Sequence, residues 1–168
     1  MAAGVTCLAV VAILALGVRL YMSRAIEDRL RPAERVAIAE LRPPLPHNAF
    51  LACPSGRCAA AGIASPVFEM PWQRLRDYWK RMIAAEPRVV PVEAEADGRR
   101  IVLIQHSKML RFPDIVTVEF IPLGEQRSSV AIYSRARYGR GDFGINRQRV
   151  RRWLAQLQHT VSEAPAVQ

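Results

Sequence analysis

The sequence predicts an α+β protein: an N-terminal transmembrane helix followed by a two-layer sandwich, in which two helices cover an antiparallel four-stranded meander. Three observations predict this class. The chain opens with an uncharged apolar run, two later segments carry apolar residues at helical spacing, and four segments between those two have strand-like patterns. Because both amphipathic helices need an apolar surface to cover, one sheet face shared by the two helices is the economical arrangement.

The first segment, Ala2 to Val18, is mainly apolar and carries no charged side chain. A membrane-spanning helix needs about 20 apolar residues, with a lower limit of about 17, and we predict a span from Ala3 to Met22. A cleaved signal peptide is the alternative, because Ala15 and Gly17 are small residues at a suitable cleavage position. Such a peptide has a positively charged start, which is missing here, so a retained anchor is favoured.

We predict a single-pass inner-membrane protein, but two observations disagree about which side of the membrane carries its soluble domain. Arginines follow the uncharged run within residues 19–35, and the positive-inside rule would hold that segment in the cytoplasm. Cys53 and Cys58 argue for the periplasm, since the short loop between them can close a disulfide in an oxidising compartment. We predict a structural disulfide there rather than a metal site, because zinc would need two further ligands and the histidines are scattered. We favour the periplasm for the soluble domain, and the positive-inside rule keeps the cytoplasm as the alternative.

The predicted domains are the anchor at 1–22, a juxtamembrane segment and proline-rich linker at 23–46, a globular domain at 47–160 and a tail at 161–168. The predicted elements of the domain are a helix opened by Pro71 and ending before Pro87, strands Val89–Ala94, Arg100–His106, Asp114–Ile121 and Ser128–Ser134, and a last helix through Leu157. The predicted core is Trp72, Leu75, Trp79, Val102, Ile104, Val116, Val118, Phe120, Val130, Ile132, Val150, Trp153, Leu154 and Leu157.

A glycine-rich turn between the last strand and the last helix is the most distinctive part of the chain. Arg135 and Arg137 lie two apart, so they share a face if the strand continues that far. Arg147 lies at the helix start, and Asp142 is the nearby countercharge. The remaining basic residues of this helix fall off its apolar stripe: Arg149, Arg151 and Arg152.

Two interpretations of this turn stay open. One is a structural network of ion pairs and caps, in which Asp142 or Asn146 caps the helix. The other is an anion pocket, because guanidinium groups fork onto carboxylate or phosphate and a helix start adds N–H donors. Asp114 either fixes its own turn or meets Arg135 or Arg137 across the sheet. The candidate ligand-binding residues are Asp114, Arg135, Arg137, Asp142, Asn146 and Arg147.

Four blocks of this sequence resemble the bacterial family called domain of unknown function 1499. The blocks are Phe112-Pro113-Asp114, Tyr133-Ser134-Arg135-x-Arg137-x-Gly139, Asp142-Phe143-Gly144-x-Asn146-Arg147 and Trp153-Leu154-x-x-Leu157. The similarity runs from about His47 to Leu157. Ala136 and His106 stand where the family often has serine and arginine. The resemblance implies an exported or membrane-attached bacterial domain of the cell envelope, and it implies no activity.

Composition leaves several partners open. The net charge of +9 and the pI near 10.5 favour anionic partners without choosing among them. We expect an uncharacterised membrane-anchored binding or scaffold module, with an anionic small molecule or an envelope protein as partner and no cofactor. The alternative is a hydrolase that uses Asp114 or Asp142 as base. Nucleic-acid binding ranks last, because Trp153 lies on the apolar face of the arginine-rich helix.

Overall fold

The computed structural model describes residues 13, 14, 17, 36–108 and 111–163. Contacts divide the chain into two units, Met1–Arg35 and Val36–Gln168, and the sheet and its helices belong to the second. The elements are a 3₁₀ turn at Ile38–Glu40, strands β1 (Ala49–Cys53) and β2 (Ile63–Ala64), helix α1 (Trp72–Ala84), strands β3 (Val89–Ala94), β4 (Arg100–His106), β5 (Pro113–Gly124) and β6 (Arg127–Ala136), and helix α2 (Ile145–Ser162).

The sheet is six-stranded and mixed, in the order β2-β1-β6-β5-β4-β3, so the predicted four-stranded antiparallel meander is wrong. Strands β3 to β6 do form the expected antiparallel meander. The difference is β1, which pairs antiparallel with β6 and parallel with β2. The run Ala49–Cys53 is apolar on both faces, and such a short run lacks the alternation that marks a half-buried strand.

Both helices cover one face of this sheet, as the sequence predicts. Trp79 of α1 and Trp153 of α2 are fully buried, and their rings meet edge to face with centroids 5.7 Å apart. Phe120 of β5 approaches Trp79 in a similar geometry at 6.3 Å. Val102 and Ile104 are buried as predicted, but their neighbours in β4 face the helices, so these two side chains point to the opposite face.

A second apolar cluster lies on the opposite face of the sheet. Ile38 is buried there against residues that include Leu51 and Tyr133, with Leu41 and Leu45 packed at its margin. These contacts come from the segment that the sequence analysis assigns to a linker. Residues 36–45 therefore contribute to the packing of the second unit.

The predicted transmembrane helix and the single-pass inner-membrane localisation drawn from it require correction. In the part of the chain that the structure describes, no helix combines the length and the apolar character needed to cross a bilayer. The predicted span, Ala3–Met22, lies outside the described residues except at Ile13, Leu14 and Gly17.

A disulfide joins Cys53 at the end of β1 to Cys58, with Cα atoms 6.0 Å apart. We expect the double variant Cys53→Ala, Cys58→Ala to lose about 2 kcal/mol of unfolding free energy, because a short closed loop restricts the unfolded chain by about that amount. Urea unfolding measures the loss, and treating the wild type with reductant should reproduce it. The exposed loop variant Ser55→Ala is the control. Equal stability of double variant and wild type would contradict this expectation.

Candidate functional site

A buried polar network centres on Arg149, which is only 6% exposed. Its guanidinium donates hydrogen bonds to the Gln105 side-chain oxygen, to Ser134 Oγ at 2.8 Å and to Asn146 Oδ1 at 2.5 Å. It also forms an ion pair with Asp114 Oδ2 at 2.5 Å. We call these five residues the Arg149 network.

Sheet register brings the acceptors of this network together. Gln105 of β4 lies directly opposite Asp114 of β5, and Ser134 of β6 lies opposite Val116, two residues further along β5. Because Val116 belongs to the core beneath the helices, the side chains of Asp114 and Ser134 point toward the same layer. Helix α2 supplies Arg149 from above, so one guanidinium joins three strands to the helix.

The sequence analysis placed Arg149 off the apolar stripe of its helix, and the structure corrects this. Asn146, Arg149, Val150 and Trp153 are all buried, and their three- and four-residue spacing is that of one helix face. Arg149 was expected on the surface because charged side chains are seldom buried, and Asn146 was expected as a cap or ligand-binding residue rather than as part of a buried helix face. The spacing itself was the signal that could have identified them.

Asp142 shapes the turn before α2. Its Oδ1 accepts the Gly144 N–H at 3.0 Å, while its Oδ2 accepts the backbone and side-chain N–H groups of Asn146, each at 2.7 Å. A carboxylate in this position satisfies helix-start donors that have no partner within the helix. Asp142 therefore acts as a turn acceptor, and its oxygens are already engaged.

Asn48, just before β1, is a part of the site that sequence reasoning missed. Its backbone oxygen accepts the Ala136 N–H at 2.9 Å and the Asn146 Nδ2 group at 3.0 Å. Its side chain donates to the Gly139 oxygen at 2.7 Å. Asn48 thus ties β1 to both ends of the glycine-rich turn. In the sequence analysis, only the start of the family similarity, at about His47, comes close to this position.

Burial dominates the electrostatics of Asp114. Removal from water raises the pKa of its carboxyl above the ordinary value of 3.8, and the charge and hydrogen bonds of Arg149 oppose this shift only in part. Asp142 adds a smaller upward shift of the same pKa by repulsion. Asp114 is thus one half of a buried ion pair with Arg149.

The sheet register and the ring contacts place the other predicted arginines. Arg135 lies opposite Ile115 in the sheet, so its side chain points away from the face that carries Ser134. Its half-buried position lowers the pKa of the Arg135 guanidinium, with a further lowering from Arg137. Arg137 lies beside the Tyr138 ring at 5.8 Å, and Arg147 lies over the Phe50 ring at 5.2 Å.

The Arg149 network is suited to holding its side chains in place through hydrogen bonds. The Ser134 hydroxyl donates to Asn146 Oδ1 at 2.6 Å and accepts from Arg149, so a neutral amide, rather than a base, receives its proton. Within the described ranges no cluster of three or more His, Cys, Asp or Glu residues is placed to hold a metal. The proposed hydrolase base Asp142 is committed to the turn, and Asp114 to Arg149.

Comparison with the sequence profiles of protein families gives a match. The sequence profile of the family described as "Protein of unknown function (DUF1499)" matches residues 58–157. No curated protein matches the sequence. The matched range covers more than half of the chain and contains Asp114, Ser134, Asn146 and Arg149 of the network, which confirms the resemblance seen in the sequence blocks. This chain therefore belongs to the DUF1499 family of proteins of unknown function.

Proposed function

We propose that this domain is a binding module that accepts an anionic ligand on one end of its sheet. This surface, the loop end, comprises residues 46–48, 107, 108, 111, 112 and 137–144. The observation that carries the proposal is Phe143, whose ring is exposed to solvent over its full surface, at 104%. Exposed apolar groups that cluster beside polar ones are typical of interaction sites.

The backbone at Phe143 is held in an unfavourable conformation. Its φ angle of 53° lies in the left-handed region, which destabilises a non-glycine residue by roughly 1–2 kcal/mol. Arg111, in the neighbouring loop, has a φ of 54°. Because a solvent-exposed phenylalanine ring adds no packing to the fold, strain at this residue is more consistent with a ligand contact than with folding.

The loop end carries both exposed aromatic rings and cations. Phe112 is 54% exposed and Tyr138 is 52% exposed. The Arg137 guanidinium borders Tyr138, and Arg140 is exposed in the same turn. Asp142, the acid of this turn, accepts hydrogen bonds from Gly144 and Asn146. This combination suits a ligand that joins an anionic group to a flat apolar one.

The loops that carry these side chains are fixed before any ligand arrives. Arg137 N–H donates to the Pro113 oxygen at 3.2 Å, which ties the turn to the start of β5. Asn48 holds Gly139 from the other side, and the Arg149 network anchors α2 beneath the turn. A preorganised surface loses less conformational entropy on binding.

Phenyl phosphate and inorganic phosphate are suitable probes of this surface. In isothermal titration calorimetry we expect phenyl phosphate to bind up to about tenfold more tightly than inorganic phosphate, since ring stacking contributes about 0.5–1.5 kcal/mol. Phe143→Ser should remove this preference while leaving binding of inorganic phosphate unchanged. The double variant Arg137→Ala, Arg140→Ala should abolish binding of both probes.

Arg127→Ala is the matched control, because Arg127 is an exposed arginine at the opposite end of β6. Its binding curves should match those of the wild type, and thermal melting should show that every variant remains folded. If folded Arg137→Ala, Arg140→Ala protein binds both phosphates as tightly as the wild type, the proposed function is wrong.

A further inference from the structure

A cleft of about 590 Å³ opens between helix α1 and the hairpin of β3 and β4. Its buried lining is apolar and comes from Trp79, Ile83, Ile101 and Leu103. The volume lies in the range of roughly 300–1,000 Å³ typical of small-molecule sites, which are mostly apolar with a few polar groups. The lining shares no residue with the loop end.

Positive charge borders this cleft. Lys80 is exposed and forms part of its lining. Arg76 lies one helical turn earlier on the same side of α1. A Cβ atom built on Gly98 would lie only 2.8 Å from Nη1 of Arg76. Arg76 therefore lies beside the hairpin turn. Its neighbouring acid, Asp77, is bound to Arg76 itself at 3.1 Å.

One acid on the hairpin side, Glu95, is also engaged. Glu95 forms an ion pair with Arg100 at 2.9 Å. The guanidinium of Arg100 also binds Glu119 at 2.9 Å, so this group forms a local network of its own. Among the described residues that line the cleft, Lys80 of α1 is the one with a charged side chain.

The open edge of the hairpin is poorly suited to pairing with another strand. Strand β3 is at the edge of the sheet, and its register shifts between Pro91 and Glu93. Pro91 has no N–H to donate to a partner strand, and irregular edges oppose strand addition. A small molecule therefore fits this place better than an extended peptide.

We infer that this cleft binds a soluble single-chain amphiphile with an anionic head, such as a fatty-acid carboxylate. The alkyl chain lies on the apolar floor beside Ile101 and Leu103, which removes its surface from water. The carboxylate lies at the rim near Lys80, where the ammonium attracts it and bulk water still solvates both groups.

Decanoate and decyltrimethylammonium, both below their micelle thresholds, test this inference by calorimetry on the full-length protein. Decanoate should bind at least about tenfold more tightly than the cation, because only its head complements Lys80. Lys80→Glu should weaken decanoate binding by about tenfold or more. Ala94→Phe and Ala84→Phe, which enlarge exposed wall residues, should each weaken the binding of both amphiphiles by filling the cleft.

Arg81→Glu is the charge-matched control on the same helix, since its guanidinium lies over Tyr78 at 4.6 Å rather than in the cleft lining. It should bind decanoate as the wild type does, as should the loop-end double variant Arg137→Ala, Arg140→Ala. Any one of three results would overturn the inference. Both wall variants could fold and bind decanoate as tightly as the wild type, or the protein could bind the two amphiphiles with equal affinity. Lys80→Glu and Arg81→Glu could also lose equal amounts of decanoate affinity.

Discussion

Replacing Arg149 with methionine is expected to lower the free energy of unfolding by about 3–5 kcal/mol at pH 7. Methionine keeps much of the side-chain volume but removes the cation that faces Asp114. The carboxylate is then buried without its partner, while Ser134 and Gln105 each lose a hydrogen-bond donor. Buried polar groups left without partners contribute most of this loss. Urea unfolding at pH 7 measures it.

The loss in Arg149→Met should depend on pH, and the sign follows from Asp114. Burial already raises the pKa of Asp114 in the folded wild type, and removing the arginine raises that pKa further. Below the ordinary value of 3.8, both folded and unfolded chains hold a neutral Asp114. As the pH rises from 3.8 to the folded pKa, the unfolded chain loses its proton first, so stability falls by up to about 1.4 kcal/mol per pH unit.

Two comparison variants make this test specific. Arg151→Met replaces an exposed arginine of the same helix and should leave the unfolding free energy within about 0.5 kcal/mol of the wild type. The double variant Arg149→Met, Asp114→Asn carries no buried charge in this pair, so its stability loss should be smaller than that of Arg149→Met at pH 7 and should not show this pH dependence. An Arg149→Met loss that is equal at pH 4.5 and pH 7.5 would contradict the assigned role of Asp114.

Local patterns were enough to predict much of the fold. Strands β3 and β4 have the predicted bounds, because the Asp97-Gly98 turn between them is a strong hairpin signal. The helices were found because their apolar residues repeat at helical spacing. The pairing of β1 with β6 joins Ala49 to Arg135, and no local pattern reports a contact between such distant positions. That pairing brings β1 into the sheet, and the parallel pairing of β1 with β2 then makes the sheet mixed, which is why the predicted fold class was wrong.

In the candidate site too, residues close in sequence were predicted together, whereas contacts between distant residues were not. Asp142, Asn146 and Arg147 were placed near the turn because the turn is continuous in sequence. The partner of Asp114 was not found, because register and α2 orientation together select Arg149 over Arg135 and Arg137. The sequence shows how many arginines lie near the turn, whereas only the packing shows which one is buried.

Replacing Asn146 with alanine is expected to lower the free energy of unfolding by roughly 2–4 kcal/mol. Asn146 is fully buried. Its amide donates to Asn48 and Asp142, and its oxygen accepts from Arg149 and Ser134. Alanine removes all four contacts at once. The loss should also loosen the turn, so amide hydrogen exchange at Gly139 and Gly144 should accelerate more than in the strands.

Two variants test whether these contacts, rather than helix propensity, explain the loss. Gln148→Ala changes an exposed residue in the same helical turn and should leave stability and exchange unchanged. Asn146→Asp keeps the shape but places a second carboxylate where an N–H now binds Asp142 at 2.7 Å. Like charges at that distance repel, so Asn146→Asp should be destabilised at neutral pH and partly recover as acid protonates the pair. Full stability of Asn146→Ala, with wild-type exchange in the turn, would show that the turn is held by the remaining backbone contacts and not by this amide.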